Sequence, residues 1–203
     1  MDRKFTRGWL LGIAIVPLSI MTSVSVAFGT TIRWDIVSLN TSVSPPTVSA
    51  GGVAAALTND GATIRLTGSG TFVVPAGGAG TSSAVTGGGT WATDGSVGTT
   101  SGTYSVTELL SWQEAPGVLP VSDLIGNSAD ARAGLAVLRI KYSDGSLGVL
   151  VISCHLFPGP SGIPGSPPSV FEGITVSKGF VDFFDRVPPV GGVDANRTLF
   201  HVQ

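Results

Sequence analysis

The residues able to do chemistry in this chain are few: the single thiol Cys154, the imidazoles of His155 and His201, and the carboxylates Glu108, Glu114, Asp123, Asp130, Glu172, Asp182 and Asp185. Cys154 next to His155 invites a thiolate–imidazole nucleophile. On a strand, however, consecutive side chains point to opposite faces, so the pair cannot meet. Asp182 and Asp185 flank Phe183-Phe184, and their odd separation sets them on opposite faces, which rules out a paired acid and base. Two histidines far apart, with no carboxylate motif between them, give no metal-ligand spacing. Gly87-Gly88-Gly89-Thr90 lacks the lysine and helix of a phosphate-cradling loop, and no Gly-x-Ser-x-Gly elbow occurs. The sequence therefore assigns no catalytic residue, no metal and no cofactor.

One local structure does bring candidates together. Ser143-Asp144-Gly145-Ser146 lies between two apolar runs, and Asp-Gly in that setting predicts a hairpin with a two-residue turn. Such a turn pairs Tyr142 with Leu147, Ile140 with Val149, Leu138 with Val151 and Ala136 with Ser153. Cross-strand partners share a face, so Tyr142, Ser153 and His155 fall on one side with Ala136, Leu138 and Ile140. The other side takes Leu135, Val137, Arg139, Lys141, Leu150, Ile152 and Cys154. Polar groups ending an apolar face suggest a ligand site in a lumen, with Gly134 leaving room beside the imidazole. A three-residue loop would shift the pairing by one and undo this assignment.

These residues must be carried by strands. Helical periodicity is nearly absent, and short runs of Val, Ile, Thr and aromatics alternate with Gly, Pro, Ser and Asp clusters, an all-β pattern. Strands are predicted at 32–38, 63–74, 90–93, 103–112, 135–142, 147–156, 171–176, 180–185 and 198–202, and a short helical turn at 128–133 capped by Asn127 or Ser128. In one domain they make a single antiparallel β-barrel or, alternatively, a two-sheet β-sandwich. The segment Ala131-Arg132-Ala133-Gly134-Leu135-Ala136, with the hairpin that runs on to His155, resembles the closing hairpin of dirigent and allene-oxide-cyclase-like proteins. That resemblance is confined to residues 131–155. It implies an eight-stranded barrel binding a small hydrophobic molecule, and it carries no site residues.

Two long loops interrupt the pattern. Residues 76–102, rich in Gly, Ser and Thr, are expected to be mobile; residues 157–169, with Pro158, Pro160, Pro164, Pro167 and Pro168, should be extended and stiff. The triplets Gly70-Thr71-Phe72, Gly89-Thr90-Trp91 and Gly102-Thr103-Tyr104 read as strand entries, each aromatic opening a packed face. Trp34, Trp91 and Trp112 could instead form an exposed platform for a glycan, of which Trp91 and Trp112 are the binding candidates.

The amino terminus supplies an address. Arg3, Lys4 and Arg7 precede an uncharged stretch, Gly8 to Thr31, ending in small residues Ala27 and Gly29. Residues 1–29 therefore read as a signal peptide, with a retained membrane anchor as the alternative, and residues 30–203 as one all-β domain. The product would be exported: secreted, periplasmic or at the cell surface. Without residues 1–29 the chain keeps eight basic against twelve acidic residues. That balance excludes nucleic acid as a partner and leaves the membrane only the possible anchor. One cysteine permits no intrachain disulfide, so Cys154 is expected to be a buried core residue. The leading functional reading is non-enzymatic binding of an unknown small molecule, glycan or protein; a lumen-binding or isomerase-like barrel and a carbohydrate-binding module are the alternatives.

Overall fold

The computed structural model describes residues 29–78 and 80–203. The proposed signal peptide, Gly29 apart, lies outside the described residues. Among those residues no helix is long and apolar enough to cross a membrane. The strands are β1 (Thr30–Asn40), β2 (Thr47–Ala50), β3 (Ala54–Leu57), β4 (Thr63–Leu66), β5 (Ser69–Val74), β6 (Gly88–Asp94), β7 (Thr100–Ala115), β8 (Ser122–Asp123), β9 (Ala131–Tyr142), β10 (Leu147–Cys154), β11 (Gly173–Lys178), β12 (Val181–Phe183), β13 (Asp185–Arg186) and β14 (Gly192–Val202).

Six of them, β1, β5, β6, β7, β9 and β14, close into an antiparallel barrel. The fold is thus the expected barrel rather than a sandwich, but with six strands in the closed ring instead of the eight the resemblance implies. Strands β10, β11 and β12 extend outward from β9; β4, β3 and β13 extend from β6; β2 attaches to β1 and β8 to β2. Strand β7 serves both β6 and β9, and register shifts at Val106/Glu108 and Leu109/Ser111 let it coil between them.

Period-two burial drives this closure. Ile32, Trp34 and Ile36 of β1, and Ala136, Leu138, Ile140 and Tyr142 of β9, are all buried. Phe72, Trp112 and Phe200 pack together, with ring centroids 5.5 Å (Phe72–Trp112), 4.7 Å (Trp112–Phe200) and 6.3 Å (Phe72–Phe200) apart. Toward the other end of β7, Tyr142 meets Trp91 at 5.6 Å and Tyr104 at 6.3 Å. The Lys178 ammonium sits 4.3 Å from the Trp91 ring centroid and pairs with Asp144. Phe72, Trp91 and Tyr104 are therefore the packed aromatics that the triplets predict.

The hairpin corrects the predicted register by one residue. Leu147 pairs with Lys141, Leu150 with Leu138, Ile152 with Ala136 and Cys154 with Gly134. The Tyr142 N–H donates to Ser146 O, and the Gly145 N–H to Tyr142 O, while Gly145 adopts φ +90°. This is a three-residue loop, a type I turn followed by a left-handed glycine. The Asp144 carboxylate accepts the Ser146 N–H and stabilises it. With its backbone in a region that L residues avoid, Gly145→Ala is expected to cost about 1 kcal/mol, read from the shift in denaturant midpoint.

The expected mobile segment is largely paired. Strand β6 runs through it, and Phe72↔Val85 and Ser82↔Leu109 bridge its first half to the barrel. Its glycines serve close crossing, since a Cβ on Gly88 would stand 2.0 Å from Tyr104 O. Of the helical turn expected at 128–133, residues 128–130 form one, with Asn127 Oδ1 accepting the Ala129 N–H at 3.1 Å, while residues 131–133 already belong to β9. Strands β2, β3 and β8 were not predicted; β3 is Ala54-Ala55-Ala56-Leu57, and alanine carries little β propensity.

Candidate functional site

The one-residue shift in the hairpin rearranges the candidates. Cys154 now shares the inward face with Leu138, Leu150 and Ile152, wholly buried, and burial pushes its thiol well above the usual range. Ser153 and His155 face the other way. Tyr142 stays in the core, its hydroxyl donating to Ser177 O at 2.9 Å. Tyr142, Ser153 and His155 therefore do not share a lumen site. Gly134 makes room for Trp112 rather than for an imidazole: a Cβ there would lie 2.8 Å from the indole ring. Trp91 and Trp112 are buried at 3% and 9% exposure, so neither forms an exposed platform for a glycan. Ser153 is buried too, and its carbonyl accepts the Thr198 hydroxyl at 2.8 Å.

Of the five predicted binding residues, Trp91, Tyr142 and Trp112 border separate hollows of about 450, 490 and 280 Å³, and His155 lines a cleft in which apolar walls and two arginines meet. His155 follows directly on β10, where the chain leaves the sheet and enters the proline-rich loop. That loop is tied down rather than free. Leu156 N–H donates to Ser166 Oγ at 3.0 Å, Ser166 Oγ donates to Pro116 O at 2.8 Å, and Val118 N–H donates to Phe157 O at 2.8 Å. The loop then returns as Pro168, Val170 and Phe171 to form one wall. Phe184, Val187, Pro188 and Pro189, around β13, form another; Arg197 of β14 closes the side. The cleft measures about 570 Å³, within the range of small-molecule sites. A second cavity of about 130 Å³, walled by Val37, Leu39, Val48 and Leu119, also contacts His155, Phe157, Glu172 and Arg197. These four residues are common to both spaces.

Glu172 stands just before β11 and ties two strand ends together. Its Oε2 accepts the His155 N–H at 2.7 Å, and its Oε1 accepts the Thr198 N–H at 2.7 Å. Burial raises its pKa to about 7, against the lowering effect of these hydrogen bonds and of Arg197. The imidazole is fixed as well. His155 Nδ1 lies 2.8 Å from Val170 O, and since a carbonyl only accepts, Nδ1 carries the proton and Nε2 is left as the ring's other polar atom. Phe157 packs edge-on against the ring at 5.9 Å.

Two arginines complete the cleft, and neither stands out from sequence alone. Arg33, Arg65, Arg132 and Arg139 each have a carboxylate within ion-pair distance. Among the described residues Arg186 and Arg197 have none, and the Nε of each is buried without a hydrogen-bond partner. Burial lowers the Arg186 pKa. Arg197 reaches the cleft through an irregularity in β14. Asn196 takes φ +51°, and the pairing of β1 with β14 slips between Val37 and Leu39, a device that re-aims side chains. Asn196 itself is buried, its Oδ1 accepting the Ala55 N–H at 2.8 Å, so it is committed to the fold. The only signal the sequence holds is that few cations follow residue 29, and that does not distinguish Arg186 and Arg197 from the paired arginines.

A second polar pair lies elsewhere. His201 Nε2 and Asp123 Oδ2 are 2.7 Å apart, both side chains almost fully enclosed, and Asp123 Oδ1 accepts the Ile125 and Gly126 N–H groups. Burial pushes the Asp123 carboxyl up, but these hydrogen bonds outweigh it and hold it below the ordinary carboxylate range. Asp123 thus closes the turn at 123–126 and docks it on the barrel through His201; His201 does not line the cleft. Comparison with protein-family models, with curated proteins and with solved structures found no match.

Proposed function

We propose that the protein is an exported, non-enzymatic binding protein whose ligand is a small, largely apolar molecule held in the cleft beside His155. The observation that carries this reading is the cleft itself, with apolar walls from Phe157, Val170, Phe171, Phe184 and the prolines and a few polar groups converging on one side. Both oxygens of Glu172 already accept backbone N–H groups, which favours a positioning role over proton transfer. The basic and apolar amino terminus supports work outside the cytoplasm, where a domain with one cysteine relies on packing rather than on disulfides.

Phe171 offers the cleanest test, because it lines the cleft yet is 64% exposed and packs little of the core. A panel of naphthyl and alkyl acids and their methyl esters should contain members that bind saturably at one site. Phe171→Glu is expected to weaken them at least tenfold in isothermal titration, with the thermal midpoint unchanged. No saturable binding by any panel member, or equal affinity in the variant, would remove the cleft as the binding site.

A further inference from the structure

Resting on the cleft as a binding site, we infer that its ligand is a monocarboxylate with an apolar body, its carboxylate paired with the guanidinium groups of Arg186 and Arg197. Guanidinium groups without a protein partner are expensive to keep half-buried. In this chain the other described arginines are matched to carboxylates. The two exceptions line the same 570 Å³ space, both with a buried and unpartnered Nε. They come from different elements, β13 and β14, so their convergence comes from the fold and not from neighbouring positions in sequence.

The charge of the ligand follows from what else faces it. Glu172 and Asp185 line the cleft along with the two arginines, so a dianion such as a phosphate monoester would meet two carboxylates as well as two cations. A single planar carboxylate matches the fork of a guanidinium in shape and charge. It also leaves the remainder of the ligand to the aromatic and proline walls. With the N–H at Nδ1 directed to Val170 O, His155 has only an acceptor left at Nε2 and gives the carboxylate no hydrogen bond, so the two guanidinium groups are its partners.

The test pairs each acid with its neutral analogue. Decanoate and 2-naphthoate should bind the protein recovered from expression of the full chain at least tenfold more tightly than their methyl esters. Arg197→Gln and Arg186→Gln should each reduce affinity for the acid by about tenfold and leave the ester unchanged; the thermal midpoint should stay equal or rise in Arg186→Gln, where the guanidinium has no hydrogen-bonded or ion-paired partner to lose, and fall slightly in Arg197→Gln, where the charge also faces Glu172. Ester binding reports an intact cleft in every variant. Esters and acids binding equally well would overturn the carboxylate assignment while leaving the cleft as a binding site. Acids preferred in the wild type and still preferred in the double variant would place the anion site elsewhere. Failure of both acids and esters to bind would overturn the binding reading and this inference with it.

Discussion

Trp112→Ala is expected to lower the unfolding free energy by about 4 kcal/mol, the upper range for truncating a buried aromatic. The indole lies between Phe72 and Phe200, at centroid distances of 5.5 and 4.7 Å. It also fills the space above Gly134. All three rings come from strands of the closed barrel, β5, β7 and β14, so the cavity would open where β sheet curvature allows little collapse. Loss of two tilted or edge-on aromatic contacts adds roughly 1 kcal/mol to the transfer and cavity cost. Trp112→Phe keeps most of the contact and should cost about half as much. Guanidinium unfolding curves for the two variants check this, and a cost near 1 kcal/mol for the alanine variant would mean that the barrel does not close over these rings.

Titration of Glu172 is the second large effect. Its carboxyl ionises near 4.5 in an unfolded chain and at about 7 in the fold, with burial as the main cause. An acid whose pKa is higher in the folded state gives stability that is fully present below about 4.5 and is lost as the pH rises through about 7. The shift corresponds to about 3 kcal/mol, gone by pH 8. In Glu172→Gln no proton is exchanged at this position, so the pH-dependent part disappears while the shape remains. The amide turns one N–H donor toward a backbone N–H and lowers stability at pH 4.5. The variant is therefore expected to lose less, or to gain, relative to the wild type as the pH rises from 4.5 to 8. Unfolding free energies of the two proteins at both pH values measure the change directly, and a wild-type-minus-variant difference that stays constant across the window would contradict it.

What could be read from the chain and what could not divide along physical lines. Alternation of Ile32, Trp34 and Ile36 and of Ala136 to Tyr142 depends only on a period of two, so strand identity is legible there, while the burial of Asp35, paired with Arg33, breaks the pattern and is not. Choosing the ring of six strands was not, because closure depends on β7 pairing with both β6 and β9. The face of His155 turned on a single residue of loop length. Asp-Gly fits either a two-residue or a three-residue connection, and the difference reverses every side chain of β10 relative to those of β9. His155 thus stands out as a candidate, while Tyr142 turns to the opposite face, into the core, and Ser153, on the same face as His155, is buried outside the cleft. Glu172 was visible only as one carboxylate among several. Its importance comes from backbone donors on β10 and β14, and no local pattern encodes contacts between positions 155, 172 and 198. Arg186 and Arg197 are separated by eleven positions and by the kink at Asn196. What marks them is the lack of a carboxylate partner, a property of the folded chain alone.

The most direct measurement is the map of amide chemical-shift changes when the isotope-labelled protein is titrated with 2-naphthoate. Changes are expected to concentrate at His155, Val170, Phe171, Glu172, Arg186 and Arg197, with Trp91, Trp112 and Tyr142 undisturbed. Changes centred on the barrel interior, or none at saturating ligand, would contradict a binding site in the cleft outside the barrel.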